Sequence, residues 1–144
     1  MKKNTITTAG ITVLRIVVGF LFAAHGWQKF NEWTIGGTQA AFGDMGIPLA
    51  EATAPIVATL ELFGGVALIL GILSRPVAVL LTINMLAAIA LVHITEGIFV
   101  ETNGFELVLL LGAAATAIAL AGPGKLSLDH AIFAQRDSKL TLLA

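Results

Sequence analysis

The sequence predicts an all-α membrane protein: a bundle of four transmembrane helices with a short interfacial helix in the first loop. Of its 144 residues, 57% are hydrophobic and only 12% are charged, against about 25% charged residues in a soluble globular domain. The mean hydropathy is +0.93. Four apolar segments reach or approach the roughly 20 residues that a membrane-spanning helix needs. Residues 1–144 are therefore interpreted as one integral membrane domain.

The spans are predicted at residues 9–30, 54–73, 76–95 and 105–121. The first connection contains GGTQAAFGDMGIP, whose glycines and proline favour a short helix lying at the membrane surface. The second connection is only SRP, so the second and third spans are antiparallel neighbours. Pro123 and Gly124 end the fourth span, and a tail at residues 122–144 follows.

The cationic residues predict the orientation. If both termini lie on one side, that side holds six of the eight lysines and arginines: Lys2, Lys3, Arg75, Lys125, Arg136 and Lys139. The opposite side holds only Lys29, because Arg15 lies inside a span. The excess of positive charge places both termini in the cytoplasm. Trp27 and Trp33 then lie at the outer interface, where tryptophan is enriched.

Composition also narrows the function. The net charge of −1 gives no field that would attract nucleic acid. The absence of cysteine excludes a thiol–disulfide relay or a cysteine-ligated iron–sulfur cluster within this chain. No residue pattern predicts a metal site.

Ionisable side chains within the spans are the strongest functional signal. Such groups cost several kcal/mol in lipid and normally face the bundle interior with a partner. We therefore predict a polar pocket, mostly in the outer half of the membrane, that collects side chains from all four spans. Its members are Arg15, His25, Lys29, Glu61, His93 and Glu106. Among them His25, Glu61 and His93 are the candidates for catalytic groups.

Partners within this pocket follow from depth. At about 1.5 Å per residue, Arg15 and Glu61 each lie roughly 10 Å inside opposite faces of a core about 30 Å thick. Two long side chains can bridge much of the remaining gap, which favours an Arg15–Glu61 pair; Asp129 is the competing partner for Arg15. Such a pair is equally compatible with a purely structural role.

Other positions carry simpler interpretations. Asn84 and His93 are nine residues apart, nearly opposite in helical phase, so we favour His93 for the pocket and treat Asn84 as an interhelical hydrogen-bonding residue. Lys29 is expected to extend its amine to the outer surface. Glu106 also suits the first turn of a helix. Either histidine can instead bond a backbone carbonyl or a lipid headgroup.

Four motifs in order resemble the DoxX family. They are LRIVVGFLFAAHGWQKF at residues 14–30, LELFGG at 60–65, LSRPVAVLL at 73–81, and NGFELVLLL at 103–111 with GPGKLSLD at 122–129. The first carries Arg15, Gly19, the His25–Gly26 pair and Lys29. The resemblance implies a four-helix protein of the bacterial inner membrane, of a kind often labelled an oxidoreductase and linked to quinone or catechol stress.

These features lead to three functional hypotheses. We favour a quinone-interacting subunit of a membrane oxidoreductase, in which electron transfer needs a bound quinone or a redox partner because the sequence has no cofactor motif. Two histidines on different helices are too little to predict haem. The alternatives are a non-enzymatic scaffold that recruits a redox partner, and a small proton-linked transporter acting as a homo-oligomer. All three hypotheses place the protein in the lipid bilayer.

Overall fold

The computed structural model describes residues 2–133, with side chains from residue 6 to residue 132. The predicted tail beyond Phe133, including Arg136 and Lys139, lies outside the described residues. The regular structure of the described chain is all helical, without strands, as the sequence predicts. Its helices are α1 (Lys2–Asn31), α2 (Thr34–Asp44), α3 (Ala50–Leu70), α4 (Ser74–Ala88), α5 (Glu106–Ala121) and α6 (Leu128–Phe133), with a 3-10 turn at Val100–Thr102.

In the part of the chain that the structure describes, three helices are long and apolar enough to cross a membrane. They are Ile6–Asn31, Ala50–Leu70 and Ser74–His93, of 26, 21 and 20 residues. The fourth apolar helix, α5, has 16 residues. Large apolar side chains on their outer faces are exposed, among them Val13, Phe20, Phe63, Leu80 and Leu110. An apolar exterior of this extent is typical of a surface that contacts lipid.

The helices form two pairs around a common core. α1 packs mainly against α3, and α4 mainly against α5, while α3–α4 and α1–α5 contacts join the pairs. Buried side chains from all four helices fill the centre: Val18, Phe22, Leu68, Ala78, Leu81, Met85, Leu111, Ala115 and Ile118. Most of the interior is therefore apolar, and the buried charged groups are confined to particular levels of the bundle.

Glycines bring α1 and α3 into backbone contact. A Cβ atom on Gly26 would collide with the backbone of Leu62, and one on Gly65 would collide with Ala23 and Gly19. A Cβ on Gly19 would lie 2.7 Å from the Gly65 carbonyl oxygen. Small residues at such contacts let helices in membranes approach closely, and here they set the register of α1 against α3.

α4 ends in a π-helical turn at Ile89–His93, marked by a hydrogen bond from the Ile94 N–H to the Ile89 carbonyl at 2.9 Å. A π-type turn holds one extra residue. Compared with a regular α-helix, the residues after it are therefore rotated by about 100° around the helix axis. Asn84 and His93 consequently differ by roughly 80° in phase instead of about 180°. The expectation that they face opposite sides is wrong for this reason.

Arg15 lies at the other end of the bundle. Its guanidinium donates to the Leu68 and Ile69 carbonyls at the end of α3. It also donates to the Pro123 carbonyl at 3.2 Å and to the Leu126 carbonyl at 2.7 Å. Arg15 is 1% exposed, and this buried charge is satisfied by backbone carbonyls at the end of a helix and in the tail.

Asp129 completes this end of the molecule. Its carboxylate oxygens accept hydrogen bonds from the backbone N–H groups of Leu73 and Ser74 at 2.8 and 2.9 Å. The Asp129 N–H donates to the Gly71 carbonyl at 2.8 Å. The carboxylate thus caps the N-terminus of α4, and the segment from Gly122 to Asp129 is fastened to the α3–α4 connection. We call this arrangement the tail clasp.

Candidate functional site

A cavity of about 400 Å³ lies at the end of the bundle opposite the tail clasp. Side chains of α1, α3, α4 and α5 form its walls, and residues of α2 and of the 97–104 loop cover it. Most of the lining is apolar or aromatic, including Phe22, Phe42, Val57, Leu91 and Leu107. Its size is within the range of small-molecule sites, which are mostly apolar with a few placed polar groups.

The charged part of the wall is a Lys29–Glu61 ion pair between α1 and α3. The Lys29 Nζ lies 2.5 Å from the Glu61 Oε2, and Asn84 on α4 donates its Nδ2 to the Glu61 Oε1 at 3.1 Å. Lys29 is 9% exposed and Glu61 is 4% exposed. The Lys29 Nζ also lies 5.9 Å from the centre of the Trp33 ring, within cation–π range.

This geometry corrects two expectations. Lys29 does not extend to the surface, because Glu61 offers its amine a partner inside the bundle. Glu61 pairs with Lys29 and not with Arg15, since the α1–α3 register places Arg15 level with Ile69, about 12 Å along the helix from Glu61. Arg15 instead finds carbonyl acceptors at its own level.

His25 lies one turn before Lys29 on the same wall of the cavity. The side chain is half-buried. In the described part of the chain its ring nitrogens have no hydrogen-bond partner, whereas Lys29 and Asn84 both donate to Glu61. His25 is therefore the titratable group of the described wall that has both ring nitrogens available to a ligand.

His93 lines the cavity from the π-helical turn. Its Nδ1 lies 2.6 Å from the Asn103 carbonyl oxygen, which fixes that nitrogen as the donor when the ring is neutral. Val100, Asn103 and Gly104 of the same loop also line the cavity. His93 thus connects α4 to the loop that closes this side of the cavity.

Glu106 and Arg15 do not line the cavity. The Glu106 Oε1 accepts a hydrogen bond from the Val100 N–H at 2.6 Å, so this carboxylate holds the loop in place. Of the six predicted pocket residues, the structure brings together His25, Lys29, Glu61 and His93. Asn84 is the polar lining residue that helical phase assigned elsewhere; only the π-helical turn brings it and His93 to one cavity.

α2 is fastened over the cavity by two adjacent side chains near its middle. The Thr38 hydroxyl lies 3.1 Å from the Lys29 carbonyl, and Gln39 donates its Nε2 to the Glu51 carbonyl at 2.8 Å. The Glu51 carbonyl is free for this contact because Pro55, four residues later, has no N–H to donate. Phe42 and Met45 then reach the cavity from α2.

The arrangement can hold a small, mostly apolar molecule with a polar end. Aromatic and aliphatic walls would contact its body, while His25 and the remaining donors of Lys29 would contact an oxygen. The hydrogen-bonded group of Lys29, Glu61 and Asn84 can also donate or accept a proton beside such a ligand.

Comparison with known proteins agrees with the motifs. A family model described as DoxX matches residues 10–94. This range contains the cavity residues His25, Lys29, Glu61, Asn84 and His93. "Putative oxidoreductase CatD" of Bacillus subtilis is 34% identical over 86% of this chain and 87% of its own. "Inner membrane protein YqjF" of Escherichia coli is 32% identical, with coverages of 90% and 95%. "Uncharacterized membrane protein Rv3486" of Mycobacterium tuberculosis is 33% identical, with coverages of 83% and 79%. No solved structure matches the chain.

Proposed function

This chain belongs to the DoxX family of membrane proteins, and from that membership and its cavity we propose that it is a quinone-binding subunit of an inner-membrane oxidoreductase. The observation that carries the proposal is the position of the Lys29–Glu61–Asn84 group in the wall of a mostly apolar cavity of about 400 Å³. A ring compound with carbonyl oxygens matches such a lining: apolar faces for the walls and acceptors for the donors.

We propose that four helices span the membrane with both termini in the cytoplasm. α5 is about 24 Å long at 1.5 Å per residue, a little short of a core of about 30 Å, and the preceding loop would complete its crossing. α2 would lie at the outer surface beside Trp33. The excess of cationic residues on the side of the termini supports this orientation, and the cavity would then open in the outer half of the membrane.

Reduction of a quinone to a hydroquinone takes up two electrons and two protons. The side chains of this chain would supply the two protons: His25 would donate one to a quinone oxygen, the Lys29 ammonium held by Glu61 would donate the other, and water would reprotonate both groups. A redox partner protein would supply the electrons. The name of the Bacillus subtilis relative, "Putative oxidoreductase CatD", is consistent with a role of this kind.

Quinone titration of the purified protein in nanodiscs tests the proposal. Trp33 lines the cavity, so a bound naphthoquinone should quench its fluorescence with a saturable 1:1 curve, and native mass spectrometry should detect the same complex. His25→Ala should weaken binding at least tenfold. His130→Ala, which changes an exposed histidine of α6, is the matched control and should leave binding unchanged. Absence of saturable binding, together with a stable protein partner in pull-downs, would support the scaffold hypothesis instead.

A further inference from the structure

The charges that line the cavity cancel one another. Among the lining residues that the structure describes, Lys29 is the basic side chain, Glu61 is the acidic one, and His25 and His93 are the remaining titratable groups. With neutral histidines the wall has a net charge of zero. A cavity with one unpaired cation would attract an anion, and a cavity with one unpaired carboxylate would attract a cation.

Neither charge of the pair needs a ligand. The Glu61 Oε2 accepts from Lys29 at 2.5 Å and the Oε1 accepts from Asn84 at 3.1 Å, so both carboxylate oxygens are satisfied within the protein. The Lys29 amine has its counter-ion and lies near the Trp33 ring. An ionised ligand would enter a buried apolar cavity without a counter-ion, which is costly in a low-dielectric environment.

We infer that the cavity selects an uncharged ring compound that bears hydrogen-bonding oxygen, and that Glu61 is the residue that excludes anions by neutralising Lys29. This inference deepens the proposed function and rests on the same cavity. His25 completes the selection: its ring nitrogens are unbonded in the described chain and lie on the wall of the cavity, so they can bond an oxygen of a neutral ligand.

A charge series on one ring system tests the inference. 2-Naphthol, 2-naphthoate and 2-naphthylmethylammonium are neutral, anionic and cationic near pH 7.5, and their affinities can be measured by calorimetry with the protein in nanodiscs of uncharged lipid. The wild-type protein should bind the naphthol at least tenfold more tightly than either ion. Equal or tighter binding of the naphthoate would overturn the inference without any variant.

Variants of the pair should then change the preference in opposite directions. Glu61→Gln leaves Lys29 without its counter-ion and should raise the affinity for the naphthoate at least tenfold, whereas Lys29→Gln should do the same for the naphthylmethylammonium. The double variant should retain the preference for the naphthol. Circular dichroism and size-exclusion chromatography identify the variants that fold, and a folded Glu61→Gln or Lys29→Gln protein with wild-type selectivity would contradict the inference.

A parallel titration with 1,4-naphthoquinone separates this inference from the proposed function. If the naphthol binds selectively but the naphthoquinone does not, the cavity selects neutral ligands and the quinone proposal fails. If the naphthoquinone binds but the naphthoate binds as well as the naphthol, the quinone proposal stands and charge selection by Glu61 fails.

Discussion

Lys29 and Glu61 form a 2.5 Å ion pair although they lie 32 positions apart in the chain. Removing one partner of a buried pair leaves an uncompensated charge, which typically costs about 3–5 kcal/mol. We expect Lys29→Met and Glu61→Gln each to lower the free energy of unfolding by about that amount. The double variant should be closer to the wild-type protein than either single variant is, and urea or SDS unfolding in mixed micelles would measure this.

Glu51→Gln is the matched control for that cycle, since Glu51 is an exposed carboxylate on the same helix. Its effect should be within about 0.5 kcal/mol, as for most surface substitutions. Additive effects of Lys29→Met and Glu61→Gln would show that the two side chains do not interact.

Asn84 should depend on Glu61 for its contribution to stability. Asn84→Ala leaves the Glu61 Oε1 without its donor, and an unsatisfied buried acceptor costs about 1–3 kcal/mol. The same substitution in the Glu61→Gln background should cost clearly less, because the amide acceptor is uncharged. Asn31→Ala, at an exposed amide bonded to the Trp27 carbonyl, should show no such dependence when unfolding is measured in both backgrounds.

Gly26 controls the distance between α1 and α3. A methyl group at this position would collide with the Leu62 backbone, and overpacking of this kind typically costs about 1–3 kcal/mol. Gly26→Ala should lower the unfolding temperature and also weaken ligand binding, since the shift carries Lys29 away from Glu61. Gly10→Ala on the same helix meets no atom within 4 Å and should be neutral or slightly stabilising; equal effects of the two substitutions would refute this account.

The tail clasp should open when its charged groups are changed. Arg15→Met removes the donors to four backbone carbonyls, and hydrogen bonds to charged groups contribute about 1.5–3 kcal/mol each. Asp129→Asn weakens the cap of α4. Amide hydrogen exchange at residues 122–133 should become at least tenfold faster in both variants. Lys125→Met, at an exposed cation in the same segment, should leave exchange unchanged, and slow exchange in Arg15→Met would contradict this role of Arg15.

The helices were predictable from the sequence because their signals are local. The length of each apolar run predicted a helix there, and the glycine-rich first connection predicted the short helix α2. Burial of ionisable groups in an apolar environment was likewise sufficient to select His25, Glu61 and His93 as side chains that face the interior.

Partners were harder to predict because they depend on register and on irregular backbone. Lys29 at a helix end suggested exposure, and only the close α1–α3 contact at Gly26 brings its amine to Glu61. A regular rotation of 100° per residue around the helix axis predicts opposite faces for Asn84 and His93. The π-helical turn changes the angle between them, and this turn has no sequence signature. The position of Glu106 depends on the short loop before α5, and no periodicity in the sequence predicts the conformation of that loop.

The bundle consists of two helix pairs, and the polar contacts in the cavity wall lie partly within one pair and partly between the two. The Lys29–Glu61 bond lies within the α1–α3 pair, and the His93–Asn103 contact lies within the half that contains α4 and α5. The Asn84–Glu61 bond joins the two halves. If the halves separate to admit a molecule from the lipid, the ion pair can move as a unit with its own half. At the level of the cavity, the hydrogen bond between Asn84 and Glu61 is a polar contact that this movement would break and remake.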